Sequence, residues 1–148
     1  MKIPEPIPGL VIRYSYLWQS EFVSGREEGV KDRPAAIVAA IVNATDGKKR
    51  VLVLPITHTP PQTKAQESTI EIPPAVKRRL GLDDEPSWIV ITEANEFIWP
   101  GPDLRPVPGD QLGGITYGFL PPGLFARVRA AFVRGVESRQ MKRVPRTD

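Results

Sequence analysis

The chain has 148 residues, 41% hydrophobic and 25% charged, with a formal net charge of +3. That length suits one domain with a core of its own, and the composition is ordinary for a soluble globular protein. Cysteine is absent, which excludes a disulfide scaffold, a thiolate nucleophile and a zinc–thiolate site.

The first eight residues carry prolines at positions 4, 6 and 8 and no continuous apolar stretch. Neither a signal-peptide core nor a spanning helix is therefore expected there, and the expected location is cytoplasmic, away from membranes. Seventeen prolines and twelve glycines divide the rest into short elements, a pattern of strands and turns rather than long helices. Residues 10–16 read as a first strand, with Val11, Arg13 and Ser15 on one face and Ile12, Tyr14 and Tyr16 on the other. Residues 20–32 are polar and read as a long loop, a length usually tied to function or mobility. The apolar runs 35–42 and 51–56 have the pattern of strands buried on both faces, and Asp46-Gly47 between them signals a turn, so a central antiparallel hairpin is expected.

A short strand at 69–72 precedes a helix over Pro74–Leu80, begun by proline and stopped by Gly81. Residues 88–92 and 97–99 read as the last strands. From Pro121 the period changes: Leu124, Phe125, Val128, Ala131, Phe132 and Val136 recur at three- and four-residue spacing, predicting an amphipathic helix packed on the sheet. The expected fold is mainly β with some α, a small β-barrel with a short inserted helix and a C-terminal amphipathic helix. One domain spans residues 1–139, and the basic, proline-containing stretch 140–148 reads as a disordered tail.

Chemistry concentrates at two strand ends. The polar loop before residue 35 carries Glu28 and Arg33, and the second apolar run ends in Thr57 and His58, the chain's single histidine. A carboxylate and a guanidinium beside a hydroxyl and an imidazole suit phosphate chemistry. Arg33 stays charged and can grip a phosphate while offsetting transition-state charge, although Arg-Pro before a strand also makes ordinary surface ion pairs. Thr57 can donate to a phosphate oxygen, or simply end its strand by bonding nearby backbone. Phosphate chemistry with proton transfer needs a base and an acid, and Glu28 and His58 are the two candidates; a solvated loop residue is the plain alternative for each.

Tyr14, Tyr16 and Trp18 could stack on unpaired bases, while barrel packing is the simpler use for at least two of them. Arg127, Arg129, Arg134, Arg139, Lys142 and Arg143 could hold a phosphate backbone, but a solvated helix face is the plainer reading of them. No glycine-rich phosphate loop, His-Glu-x-x-His or carboxylate cluster with metal spacing occurs, so no cofactor and no metal are expected.

The spacing of Gly25, Glu28, Arg33 and Pro34, the apolar strand after it, and the Pro55-Ile56-Thr57 strand end resemble the PemK/MazF family of toxin endoribonucleases. Gly9, the 88–92 strand and the final helix fall in family order, so the likeness runs over nearly the whole chain, with the two central motifs its specific part. The resemblance implies an SH3-like barrel and a metal-independent, sequence-selective ribonuclease acting on single-stranded RNA. It further implies a homodimer paired with an antitoxin protein. Glu28 matches the family's loop glutamate in its distance from Arg33. Where members often carry Asp-Gln after the penultimate strand, this chain has Glu93-Ala94, and its 70–81 segment is longer. Residues 72–82 with 88–91 separately resemble AbrB-type swapped-hairpin domains, which would imply a dimeric DNA-binding regulator; a barrel that has lost catalysis and acts as a binding module is the third reading.

Overall fold

A computed structural model describes residues 3–25, 31–62 and 68–146. Its strands are β1 (Leu10–Ser15), β2 (Asp32–Val42), β3 (Lys49–Thr57), β4 (Thr69–Glu71), β5 (Trp88–Val90), β6 (Glu93–Trp99), β7 (Thr116–Phe119) and β8 (Lys142–Pro145). The helices are α1 (Gln19–Val23), α2 (Pro74–Leu80) and α3 (Pro122–Glu137). The strands form one curled sheet in the order β4-β5-β3-β2-β1-β7, with β6 joining β3 and β8 joining β6. Pairings are antiparallel except β6 with β8. The result is a half-barrel of mainly β structure with three helices among the described residues, the small β-barrel architecture expected.

The central hairpin is β2–β3, with Ala36 opposite Leu54 and Ala40 opposite Val51. Residues 35–38 are buried on both faces because each face carries a core. Val11, Ala36, Leu54, Ile56 and Ile89 pack with α2 and α3 on one side, while Leu10, Ile12, Tyr14, Tyr16, Ala35, Ile37, Val53 and Phe97 fill the other. Ile41 and Val42, expected inside, are exposed, since the hairpin tip runs past both clusters. Helix α3 places Leu124, Val128, Ala131 and Phe132 against the sheet, each large side chain gaining about 1.5–3 kcal/mol from burial. Helix α2 ends where Gly81 takes the left-handed conformation, φ 73°, which costs glycine least.

Several expectations are corrected. The 20–32 stretch is not all loop: it opens with α1, and its residues 26–30, Glu28 among them, lie outside the described residues. Strands β7 and β8 have no counterpart in the sequence reading. The supposed tail is built into the sheet: β8 pairs in parallel with β6, Val144 is fully buried, and Arg146 is 7% exposed. A sheet edge and an internal acceptor set hold this basic segment, neither of which its composition reveals. Residues 147–148 lie outside the described residues. Among the described residues no helix is long and apolar enough to cross a membrane.

Candidate active site

Alternation along the strands sorts the site residues between the two faces of the sheet. Arg33 shares a face with Ala35 and Ile37, Thr57 with Pro55 and Val53, and Glu93 with Asn95 and Phe97. The register pairs Ala35 with Pro55 and Val53 with Asn95, so Arg33 and Thr57 stand at the same end of the β2–β3 pair, two residues beyond its last rung. By that alternation all three project toward the side whose core includes Ala35, Ile37, Val53 and Phe97. The sequence reading expected Arg33 and Thr57 at neighbouring strand ends, and the β2–β3 register is consistent with that placement; it left Glu93 without a role.

Arg33 lies over the Trp18 ring, with its guanidinium carbon 4.9 Å from the ring centroid, a cation–π contact strengthened by partial burial. Its Nε is buried and has no hydrogen-bond partner. Burial draws its pKa below the ordinary arginine value while Glu21 and Tyr16 oppose that drop, and a guanidinium remains charged through such a change. Trp18 in turn meets Tyr16 edge to face at 5.3 Å. The segment carrying both aromatics enters α1, where the Trp18 N–H donates to Glu21 Oε1 at 3.0 Å.

Glu93 sits at the start of β6 and is half-buried. Its Oε2 accepts from the Gln19 N–H at 2.8 Å and from the Tyr16 hydroxyl at 3.3 Å. Burial raises its pKa above the usual glutamate value, with a further push from Glu21, while Gln19, Tyr16 and Lys142 pull it down. Burial chiefly, and then Glu93, hold the Tyr16 phenol protonated far beyond its ordinary range, so Tyr16 serves as a donor. A carboxylate tuned upward, sharing the Tyr16 contact region with Arg33, is a candidate proton acceptor. Its sequence signal was its place after β5, where the Glu-Ala pair departs from the resemblance. Only the tertiary contacts reveal that the carboxylate itself is suitably placed.

Thr57 Oγ accepts from the Thr59 N–H at 3.1 Å, the strand-ending bond named as its plain alternative. That bond uses a lone pair and leaves the hydroxyl proton free to donate. Tyr14 and Tyr16 are fully buried, so neither can stack on an RNA base. Their aromatic surface goes to the core, Tyr14 stacking on Phe97 at 4.9 Å. Of the three aromatics proposed for base contact, Trp18 alone keeps partial exposure.

His58 is one step beyond Thr57 and therefore falls on the other face, with Ile56. There it borders a cavity of about 280 Å³ that is also edged by Arg13, Lys31, Asp32, Arg33, Asp83 and Tyr117. Its Nε2 is 2.7 Å from Asp83 Oδ2 and its Nδ1 is 3.4 Å from Glu85 Oε2. Asp83 is held by Lys77, a buried ammonium 2.7 Å from Asp83 Oδ1 that also donates to Ser87 Oγ at 2.7 Å and to the Glu85 carbonyl. Burial tends to raise the Asp83 pKa, but Lys77 and His58 outweigh it and hold the carboxyl below its ordinary range. His58, Asp83 and Glu85 offer ligand atoms within 4.8 Å of one another, the one such trio among the described residues. Lys77 already occupies one Asp83 oxygen, and both imidazole nitrogens face carboxylates.

The longer 70–81 segment explains this second wall. Strand β4 pairs with β5, β5 pairs with β3, and Ile72 and Leu80 enter the core, so the α2–β5 loop is carried to the cavity rim. On the opposite rim Arg13 Nη1 donates to the Tyr117 hydroxyl at 3.1 Å. Compared with known proteins, the chain matches no family model and no curated protein.

Proposed function

We propose that this chain is a toxin-type endoribonuclease that cleaves single-stranded RNA without a metal ion, and that it works as a homodimer with an antitoxin partner. The observation that carries the reading is the Arg33 face of the sheet. A stacked guanidinium with an unspent, buried N–H shares that face with a hydroxyl, Thr57, and with a half-buried carboxylate of raised pKa, Glu93. The resemblance of the Gly25–Pro34 loop and the Pro55–Thr57 strand end to PemK/MazF toxins points the same way.

In this reading Arg33 grips the scissile phosphate and offsets the charge that grows on its oxygens, and Thr57 donates to one of them. The substrate's 2′-oxygen bonds to phosphorus as its proton passes to Glu93. The bond to the 5′-oxygen then breaks, and that oxygen takes a proton from water. The products are a 2′,3′-cyclic phosphate and a 5′-hydroxyl. This reading does not use His58, whose two ring nitrogens face the Asp83 and Glu85 carboxylates across the cavity that Arg33 also edges. Arg13 and Lys31 on that face offer positive charge to the flanking backbone.

The test is to incubate the purified protein with a long RNA of little structure, with and without EDTA, and map the cut ends. Discrete cuts that persist in EDTA and leave 5′-hydroxyl ends support the proposal. Cutting that EDTA stops, or no cutting together with tight duplex-DNA binding, overturns it, the latter in favour of the DNA-binding alternative.

A further inference from the structure

The last stretch of the chain reaches the back of this site. Arg146 is 7% exposed, with both Nη atoms spent inward and its buried Nε without a partner. Nη1 donates to the Ser15 carbonyl at 2.6 Å, to Asn95 Oδ1 at 3.0 Å and to the Tyr14 hydroxyl at 3.4 Å, while Nη2 meets Asp103 Oδ1 at 3.0 Å. Asn95, fully buried, grips Leu17 at both ends of its peptide: Oδ1 accepts from the Leu17 N–H at 2.9 Å and Nδ2 donates to the Leu17 carbonyl at 2.7 Å. Two residues before Asn95, Glu93 accepts from the Gln19 N–H. The backbone from Ser15 to Gln19 is thus pinned at four atoms by β6 and by the residue that follows β8.

That pinned segment carries Tyr16, which donates to Glu93, and Trp18, on which Arg33 lies. A buried arginine is a costly way to add stability, because desolvating the charge offsets most of what its partners return. Its distinctive product is geometry: a rigid planar fork holds a carbonyl, an amide oxygen and a carboxylate in directions fixed by its plane, which a freely rotating ammonium does not. Small losses of registration at a catalytic group are expensive, on the order of a hundredfold in rate for a displacement of about 1 Å.

We propose that Arg146 is a positioning residue for the Arg33 site, holding the 15–19 segment through Asn95 and the Ser15 carbonyl so that Trp18 and Tyr16 keep Arg33 and Glu93 in working geometry. Its consequence for rate rests on the ribonuclease reading. The C-terminal strap is in this sense part of the site, although it contributes no group to the reacting phosphate.

The experiment compares the full chain with Arg146→Lys and Arg146→Ala, well below their melting temperatures, by steady-state cleavage of a short RNA and by amide hydrogen exchange. Expected for both variants is a fall in kcat on the order of tenfold to a hundredfold with KM little changed. Exchange at the Leu17 and Gln19 amides should quicken on the order of tenfold or more while the β2–β3 amides keep their protection. Lysine should fail to rescue. A residue that only added stability would lower the melting temperature and leave both readouts unmoved at that distance from it, and that result would overturn the proposal. Should both Arg146 variants fail to fold, Asn95→Asp decides instead: it is isosteric and keeps the Arg146 contact but loses the donor to Leu17, so unchanged exchange and kcat in that variant refute the role. If the wild-type protein cuts no RNA, the ribonuclease reading fails by itself, and Leu17 and Gln19 exchange still tests the positioning.

Discussion

Arg33 is one of two arginines among the described residues, with Arg146, whose buried Nε has no hydrogen-bond partner. Its ring contact and its buried, unpartnered Nε describe a cation held in place and still able to donate. Replacing it with alanine should slow cleavage about a hundredfold or more, the usual cost of losing one transition-state contact, with circular dichroism and melting near wild type; a folded variant of full activity would remove Arg33 from the mechanism. Glu93 gives an opposite pairing of stability and activity. Its folded pKa is raised, chiefly by burial, so the fold holds the proton more tightly than the unfolded chain does. That contribution to stability is complete below the unfolded value, about 4.3, and is lost as pH rises through the folded value. At neutral pH the ionised carboxylate therefore weighs against the fold. Glu93→Gln, which keeps the acceptor for Gln19 and Tyr16, should melt higher than wild type at pH 7, with the difference closing at about pH 4. The same variant should cut RNA slower by about 10²–10⁴-fold. A lower melting temperature at pH 7 would show that the charge is welcome in the fold, and wild-type cutting would rule Glu93 out as the base.

At the scale of elements, the helices differ in what they contribute. Helix α1 is a single short turn whose use is to carry Trp18, Gln19 and Glu21 to the site. Helix α2 belongs to the 70–81 segment and delivers the Asp83–Glu85 loop to the cavity rim, with Lys77 as its internal anchor. Helix α3 packs into the core that holds Val11, Ala36 and Leu54, the one that does not contain Tyr14, Tyr16 and Phe97. Its Phe132, 6% exposed, should therefore be a pure stability position. Phe132→Ala should cost about 3–5 kcal/mol in chemical denaturation and leave kcat at 25 °C unchanged while the variant stays folded. A matching loss of kcat in the folded variant would mean that α3 reaches the site after all. The amphipathic period of this helix was plain in the sequence, because one buried face in every turn leaves a repeat that needs no knowledge of what it packs against. Strand β8 was not, since a parallel edge strand of four residues with one buried side chain has no period to read.

For the whole molecule, the curled sheet puts the proposed reaction on one face and a basic cavity on the other, joined at Arg33. RNA lying along this end would meet Arg13, Lys31 and Arg33 together. Cleavage should consequently weaken steeply with salt, log kcat/KM falling roughly linearly with log salt at about 0.7 per phosphate contact on a single strand, and a salt-independent rate would exclude a backbone-tracking mode. A single 2′-deoxy sugar on the 5′ side of the scissile bond should abolish cutting there and spare binding, since the attacking oxygen belongs to the substrate. Equal cutting of deoxy and ribose strands would refute attack by the 2′-hydroxyl.

The sequence by itself determined the elements whose signal is local. The β2–β3 hairpin follows from two apolar runs around Asp46-Gly47, α2 from its proline start and glycine stop, and α3 from its apolar period. It also set Arg33 and Thr57 at neighbouring strand ends, because a hairpin register fixes which ends meet. The tertiary structure alone decided which face each residue serves. His58 and Thr57 are adjacent in the chain, yet His58 borders the cavity that Arg33 also lines, while the Thr57 hydroxyl accepts from the Thr59 N–H. Tyr14 and Tyr16 have the chemistry to stack on bases, but the second core takes them. The basic segment after residue 140 reads as tail until acceptors from β1, β6 and Asp103, up to 132 residues away in sequence, fix its arginine. Burial and partners of that kind come from long-range packing, and a buried charge is tolerated only where distant groups supply its hydrogen bonds.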